Sequence, residues 1–205
     1  MQYGVLRASD SAVRASEEAV QAAQRASSDR ALGLAGYALA VGLLDRDAAA
    51  DRHRGLELMM QTRDIWLRKP ALFQIPVTDL WTARETARRG DRDAAIPVMR
   101  QAVDELRQAG HLFYGVWGTG LLVETLLERG TEGDLAEAQK AIDGLAVLWV
   151  DDGSAMREIT LLRLRALLTR VRGDNVAYRD LVSRYREMAE SLGFEGHIAW
   201  AEAIW

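Results

Sequence analysis

Arg89-Gly90-Asp91-Arg92-Asp93-Ala94-Ala95-Ile96-Pro97-Val98-Met99-Arg100-Gln101-Ala102 is the stretch whose reading sets the fold. Arg89-Gly90 ends one helix and Asp91 is suited to cap the next. Ala95, Met99 and Ala102 then follow at +4, +8 and +11 from Asp91, on one helix face. The same offsets recur in Asp51-Gly55-Met59-Thr62, Asp134-Ala138-Ile142-Leu145 and Asp174-Tyr178-Val182-Tyr185. The four aspartates stand 40, 43 and 40 residues apart, and Asp10, 41 before Asp51, is expected to begin a degenerate copy. Arg172-Gly173 precedes Asp174 as Arg89-Gly90 precedes Asp91, and Arg129-Gly130 is followed by an insertion before Gly133-Asp134. A small residue at +4 lets two helices approach closely.

The remaining punctuation predicts helices throughout. Ser9 or Asp10 can cap a helix to about Ser27, and Asp29 a second ending near Asp45. A third spans Asp47–Arg68 and stops before Lys69-Pro70. Breaks follow at Arg89-Gly90, Ala109-Gly110, Arg129-Gly130, Arg172-Gly173 and Leu192-Gly193. Another helix runs from Asp134 to about Val150 and is closed by Asp151-Asp152-Gly153-Ser154, and a short one from about Phe194 finishes the chain. No segment alternates with period two for long enough to be a strand. A period near 40 lies within the roughly 34 to 47 residues of tetratricopeptide and HEAT repeats. The Gly-Asp turn followed by a small residue resembles the second-helix start of a tetratricopeptide repeat. The expected fold is therefore all-α: an α-solenoid of tetratricopeptide-like helix pairs in a right-handed superhelix. Residues 1–28 form a leading helix, the second of a truncated repeat, so that further repeats are expected to precede it. Residues 29–193 form four helix pairs, and 194–205 a C-terminal capping helix.

Composition agrees and narrows the function classes. The 205 residues are 49% hydrophobic and 27% charged, enough to bury a core and too apolar for a disordered tail. There is no cysteine, which excludes a disulfide scaffold, a thiolate metal site and thiol catalysis. A net charge of −4 argues against nucleic acid or an anionic membrane as the main partner. The longest uncharged runs, Ala31–Leu44 and Ala109–Val123, are shorter than the ~20 residues of a membrane span. The N-terminus lacks the apolar stretch of a signal peptide, and a cytoplasmic, soluble protein is expected.

Motifs for chemistry are missing. There is no phosphate loop and no G-x-S-x-G elbow. Gly115, Gly118 and Gly120 are spaced like part of a dinucleotide loop, but no strand precedes them; they are expected to be flat spots where helices pack. His53, His111 and His197 have no second histidine at metal-ligand spacing, and His111 opens a helix. Asp45/Asp47, Asp91/Asp93 and Asp151/Asp152 sit at helix starts and turns, where a carboxylate caps free N–H groups. No enzyme activity, metal or cofactor is expected.

Surface is what remains. In a tetratricopeptide-like solenoid the first helix of each pair lines the concave face. Those helices carry Trp81, Arg84 and Arg88; Trp117, Glu124 and Glu128; and Arg163, Arg165 and Arg170. Tryptophan and arginine are typical interface anchors. Each residue taken singly also fits a plainer role, with Trp81 and Trp117 in the core and the arginines merely solvated. Trp66, Trp149, Trp200 and Trp205 are expected to close gaps between helices or to cover the last open face.

The C-terminal third carries a resemblance. Arg157-Glu158-Ile159-Thr160-Leu161-Leu162-Arg163-Leu164-Arg165-Ala166-Leu167-Leu168 leads to Arg172-Gly173-Asp174, then Tyr178-Arg179-Asp180 and Arg184-Tyr185-Arg186-Glu187-Met188-Ala189. The ending is Ser191-Leu192-Gly193-Phe194-Glu195-Gly196-His197-Ile198-Ala199-Trp200-Ala201-Glu202-Ala203. This resembles the C-terminus of actinobacterial, mainly mycobacterial, multidomain class III adenylate cyclases. Ala83-Arg84-Glu85-Thr86-Ala87-Arg88-Arg89-Gly90-Asp91, Leu122-Val123-Glu124-Thr125-Leu126-Leu127-Glu128-Arg129-Gly130 and Asp134-Leu135-Ala136-Glu137-Ala138 resemble that family's middle repeats. In that family a cyclase domain is followed by an AAA (STAND-type) ATPase and then by tetratricopeptide-like repeats. The resemblance implies a C-terminal regulatory array with no catalytic residue, because the family's metal-binding aspartates, adenine-specifying residues and phosphate loop lie in upstream domains.

The expected function is a non-catalytic interaction and regulatory module that binds a protein partner or its own cyclase/ATPase domains. The alternative is a sensor with a small-molecule effector in the concave groove. A homodimer through the apolar side of the first helix (Val13, Ala19, Val20, Ala23) is a further expectation.

Overall fold

The computed structural model describes residues 4–68, 74–147 and 154–204. Among them are ten helices and no strand: α1 Asp10–Arg25, α2 Asp29–Leu44, α3 Ala49–Arg68, α4 Gln74–Arg88 and α5 Arg92–Gln108, then α6 Leu112–Arg129, α7 Glu132–Ala146, α8 Ala155–Val171, α9 Asn175–Leu192 and α10 Glu195–Ile204. Lys69-Pro70, Trp149, Asp151-Asp152-Gly153 and Trp205 lie outside the described residues. Consecutive helices pack against each other, and α2, α4, α6 and α8 also pack side by side into one layer. The arrangement is consistent with a helical-repeat solenoid.

The +4, +8 and +11 positions explain the packing. Gly55, Met59 and Thr62, then Ala95, Met99 and Ala102, then Ala138, Ile142 and Leu145 are all buried. In the last copy Val182 and Tyr185 are buried and Tyr178 is half-buried. The aspartates that mark the copies have different jobs. Asp91 and Asp174 are N-caps, accepting from the N–H groups of Ala94 and Ala177 at 3.0 Å. Asp134 is three residues inside its helix: Thr131 is the cap, and the two exchange hydrogen bonds in a capping box. Asp51 likewise sits in the first turn of α3 and pairs with Arg46 at 3.2 Å. The helix start thus slides by nearly a turn while the buried face stays in phase.

Three expectations are corrected at the N-terminal end. The offsets counted from Asp10 fall on Arg14, Glu18 and Gln21, all exposed, so no repeat copy starts there; Ser9 is the cap. The cap of α2 is Ser28 rather than Asp29. The apolar side of α1 is also used within the chain: Val13 packs with Leu39 and Leu43, and Val20 lies against that cluster. Ala23 is buried and only Ala19 stays exposed, so the open face on which the homodimer expectation rested is covered by α2.

Polar contacts repeat with the same period. Arg54–Glu17 and Arg100–Glu137 each join residues 37 apart. Arg46–Asp10, Arg92–Glu128 and Arg129–Asp93 join residues 36 apart. The first two pairs reach across one repeat, from α3 to α1 and from α5 to α7, whereas the other three tie the start of one helix to the end of the helix that follows it. Such exposed pairs contribute little stability singly and instead mark the register.

One pair is different, because its carboxylate is buried. The Arg129 guanidinium donates two hydrogen bonds to Asp134, at 2.9 and 2.6 Å, and with the Thr131 bonds it holds the Asp134 carboxyl well below the usual carboxylate range. A depressed folded-state pKa stabilises above the unfolded value of about 4, and the contribution fades as pH falls through the folded value. Asp134→Asn should therefore lower Tm by a few degrees at pH 7, with the gap to the parent protein closing only below about pH 4. Thermal melts from pH 7 to pH 2 check this.

Close approach at +4 gives a second test. A Cβ built on Gly55 would stand 3.0 Å from the backbone nitrogen of Leu44 and from Leu43 and Leu44 side-chain carbons, whereas Gly144 faces open space. Gly55→Val should cost about 1–3 kcal/mol by overpacking. Gly144→Ala, in the body of α7, should stabilise by about 0.5–1 kcal/mol. Urea denaturation of the two variants reads both signs.

Candidate functional site

The α2–α4–α6–α8 layer and α10 enclose a cavity of about 280 Å³. From α4 it takes Trp81, Arg84, Ala87 and Arg88, one stripe at helical spacing. Trp117, Gly120, Leu121, Glu124 and Glu128 form the matching stripe on α6. Thr160 and Arg163 come from α8, His197 and Trp200 from α10, and Asp45 from the end of α2. The sequence-predicted residues Trp81, Arg84, Arg88, Trp117, Glu124, Glu128 and Arg163 are thus brought together. Arg170 is not: it lies exposed near the end of α8, as does Arg165 farther up the helix. Of the α6 glycines, Gly118 is a flat spot as expected, for its Cβ would strike Leu80 at 2.8 Å. Gly120 instead leaves space, its nearest neighbour being Thr160 at 3.6 Å.

Aromatic rings and guanidinium groups build the walls. Trp81 is buried, its indole N–H donates to the Tyr37 hydroxyl at 3.2 Å, and its ring centre lies 5.1 Å from that of Trp117. Arg84 lies 5.0 Å over the Trp81 ring and Arg163 lies 4.4 Å over Trp200. Arg163 also makes two hydrogen bonds to Glu124, at 2.5 and 3.0 Å, linking α8 to α6. Arg88 donates to the Leu44 carbonyl at 2.9 Å, satisfying a free acceptor at the end of α2. Glu128 is more exposed and pairs with Arg92 at 3.1 Å.

Arg84 is the least satisfied of the three cations. Its ion-pair oxygen on Asp45 is 3.7 Å away, beyond hydrogen-bond distance. Burial, reinforced by Arg88, pulls its pKa down to about 10 despite Asp45 and Glu124. Burial likewise raises the Asp45 carboxyl, which Arg84 only partly offsets. Indole rings and guanidinium groups therefore line the cavity, Trp81 and Trp117 being largely buried in its wall and Glu124 and Glu128 committed to other partners. Among the described residues no group of three or more histidines and carboxylates could hold a metal ion.

No family model, curated protein or solved structure matches the chain.

The α10 wall escaped sequence reasoning. Trp200 was expected to cover the end of the array, and here it lines the cavity beside His197, three residues earlier on one face. That aromatic i, i+3 spacing was the available signal. Trp66 does fill a gap between helices, packing where a Cβ on Gly33 would come within 2.7 Å of its ring. His197 is buried and its Nδ1 lies 2.7 Å from the Tyr185 hydroxyl of α9, with the Trp200 ring centre 4.9 Å away.

Behind this wall lies the start of the chain. The Glu195 N–H donates to the Val5 carbonyl at 3.0 Å, and the Arg7 N–H donates to the Glu195 carboxylate at 3.2 Å. Gly4 has φ +72°, and a Cβ there would come within 2.6 Å of the Trp200 ring and 2.9 Å of His197. Gly4→Val should push this segment off α10. The expected outcome is faster hydrogen exchange at the Glu195 amide, read by mass spectrometry, with α4 and α5 unchanged.

Proposed function

We propose that this chain is a non-catalytic regulatory array of tetratricopeptide-like helix pairs in a right-handed superhelix, with the cavity on its concave face as a receptor site. The observation that carries this reading is the convergence of Trp81, Trp117 and Trp200 with Arg84, Arg88 and Arg163 around one enclosed space. Binding sites are concave, largely apolar and fitted with a few placed polar groups. A small-molecule effector suits such a volume better than a folded partner, which needs a broad surface.

The resemblance supplies the setting. In a cytoplasmic adenylate cyclase/ATPase signalling protein, effector binding in the array would be passed to a protein partner or to the cyclase and ATPase domains. Ligand contacts spanning α4, α6, α8 and α10 would change how successive repeats stack, and stacking sets the curvature of a solenoid. A ligand acts in this way only if it binds one curvature better than another.

A thermal-shift screen of metabolites and nucleotides tests the reading. A specific ligand at a hundredfold excess over Kd should stabilise by about 2.7 kcal/mol and raise Tm by roughly 5–10 °C. Trp117→Leu should abolish that increment, measured against the melting point of the unliganded variant. A flat screen would overturn the receptor reading.

A further inference from the structure

Arg84 and its surroundings point to a ligand class. Two of the three cavity cations are used by the fold. Both terminal nitrogens of Arg163 are taken by Glu124, and Arg88 holds the Leu44 carbonyl. Arg84 is mostly buried against the Trp81 indole, and its Asp45 counter-ion is 3.7 Å away. A desolvated guanidinium without a close acceptor is costly, and a planar carboxylate is the group that its fork of N–H donors fits best.

Charge balance limits how negative the ligand is. The cavity carries Arg84, Arg88 and Arg163 against Asp45, Glu124 and Glu128. With no net excess of cations, the site suits a monoanion rather than a phosphate ester. Size and wall chemistry limit the rest. About 280 Å³ holds one ring system with a short substituent, and the three indoles favour an aromatic one.

We propose that the cavity binds a small aromatic monocarboxylate, its carboxylate on the Arg84 guanidinium and its ring against the tryptophans. This rests on the receptor reading above and names its ligand class. Asp45 then acts as a competitor for Arg84 in the empty site, holding the guanidinium toward α2 until the ligand carboxylate displaces it.

Isothermal titration of the full chain with indole-3-carboxylate and benzoate, and with the corresponding amides, tests the proposal. At least one acid should bind about tenfold or more tighter than its amide, the scale of a charge-assisted hydrogen bond. Arg84→Met should lower acid affinity by a similar factor and leave the amide unchanged, and Arg84→Lys should fall between. Asp45→Asn should tighten acid binding severalfold by removing the competing carboxylate. Circular dichroism confirms that each variant is folded. Equal affinity for acid and amide, equally tight binding of inorganic phosphate, or an unchanged acid affinity in folded Arg84→Met overturns the proposal. If the acids fail while another compound in the broad screen binds through Trp117, the ligand class falls and the receptor reading stands. If nothing binds, both fall.

Discussion

The structure depends on a packing phase. Each helix that follows a marker aspartate presents its +4, +8 and +11 residues to the neighbouring helices, and among these positions only Tyr178 is less than fully buried. Met59, Met99, Ala138 and Tyr185 are completely excluded from water. At +4 the constraint is steric as well as hydrophobic, because Gly55 touches the α2 backbone where any side chain would intrude. The helix start has no such constraint. A cap works wherever a side-chain oxygen meets a free N–H. The chain can therefore open α5 with Asp91 itself and α7 three residues before Asp134 without moving the buried face.

The cavity follows from the same stacking. Helices that meet their partners through one face leave a second stripe pointing along the inner layer, and on α4 and α6 that stripe carries tryptophan, arginine and glutamate. The stripes are joined across the layer at the repeat spacing. Arg163 reaches Glu124, 39 residues earlier, and Trp81 reaches Tyr37, 44 residues earlier. These spacings are longer than the 37 of Arg54–Glu17 and Arg100–Glu137, which join α3 to α1 and α5 to α7. The inner contacts fix the helices around the space without filling it. Gly120 in the middle of α6 keeps its floor low.

How much of this was legible in the sequence depends on the range of the interaction. Helix ends are local, so Gly90, Gly110 and Gly193 could be read directly. Phase is local too, which is why the +4, +8, +11 pattern named buried positions from Asp51 onward, with Tyr178 only half-buried. The pattern failed at Asp10, where the same offsets fall on the exposed polar residues Arg14, Glu18 and Gln21. The inner-face residues of α4 and α6 were legible from helix order alone, but on α8 Arg165 and Arg170 do not reach the cavity. Arg170 shares a helix with Arg163 but lies two turns farther on, beyond the cavity's end. What no local pattern could show is closure. Trp200 is seated against Arg163 of α8 and the segment at Gly4, and contacts spanning 188 residues leave no periodic trace.

The three arginines of the cavity separate what the fold needs from what it leaves available. Taken as clips between helices, Arg163 and Arg88 each have a partner in the fold: one makes two hydrogen bonds to a carboxylate on the neighbouring inner helix, with its buried Nε left over, and the other closes a helix end. Both would be present in a solenoid that bound nothing. Arg84 does not fit that account. Its ion pair with Asp45 stands at 3.7 Å, beyond hydrogen-bond distance. The guanidinium lies 5.0 Å over the Trp81 ring centre, partly stripped of water, with Arg88 adding to its unfavourable field. A cation held short of its counter-ion, on an indole wall and beside an open volume, is an arrangement that a bound anion completes and packing alone does not explain.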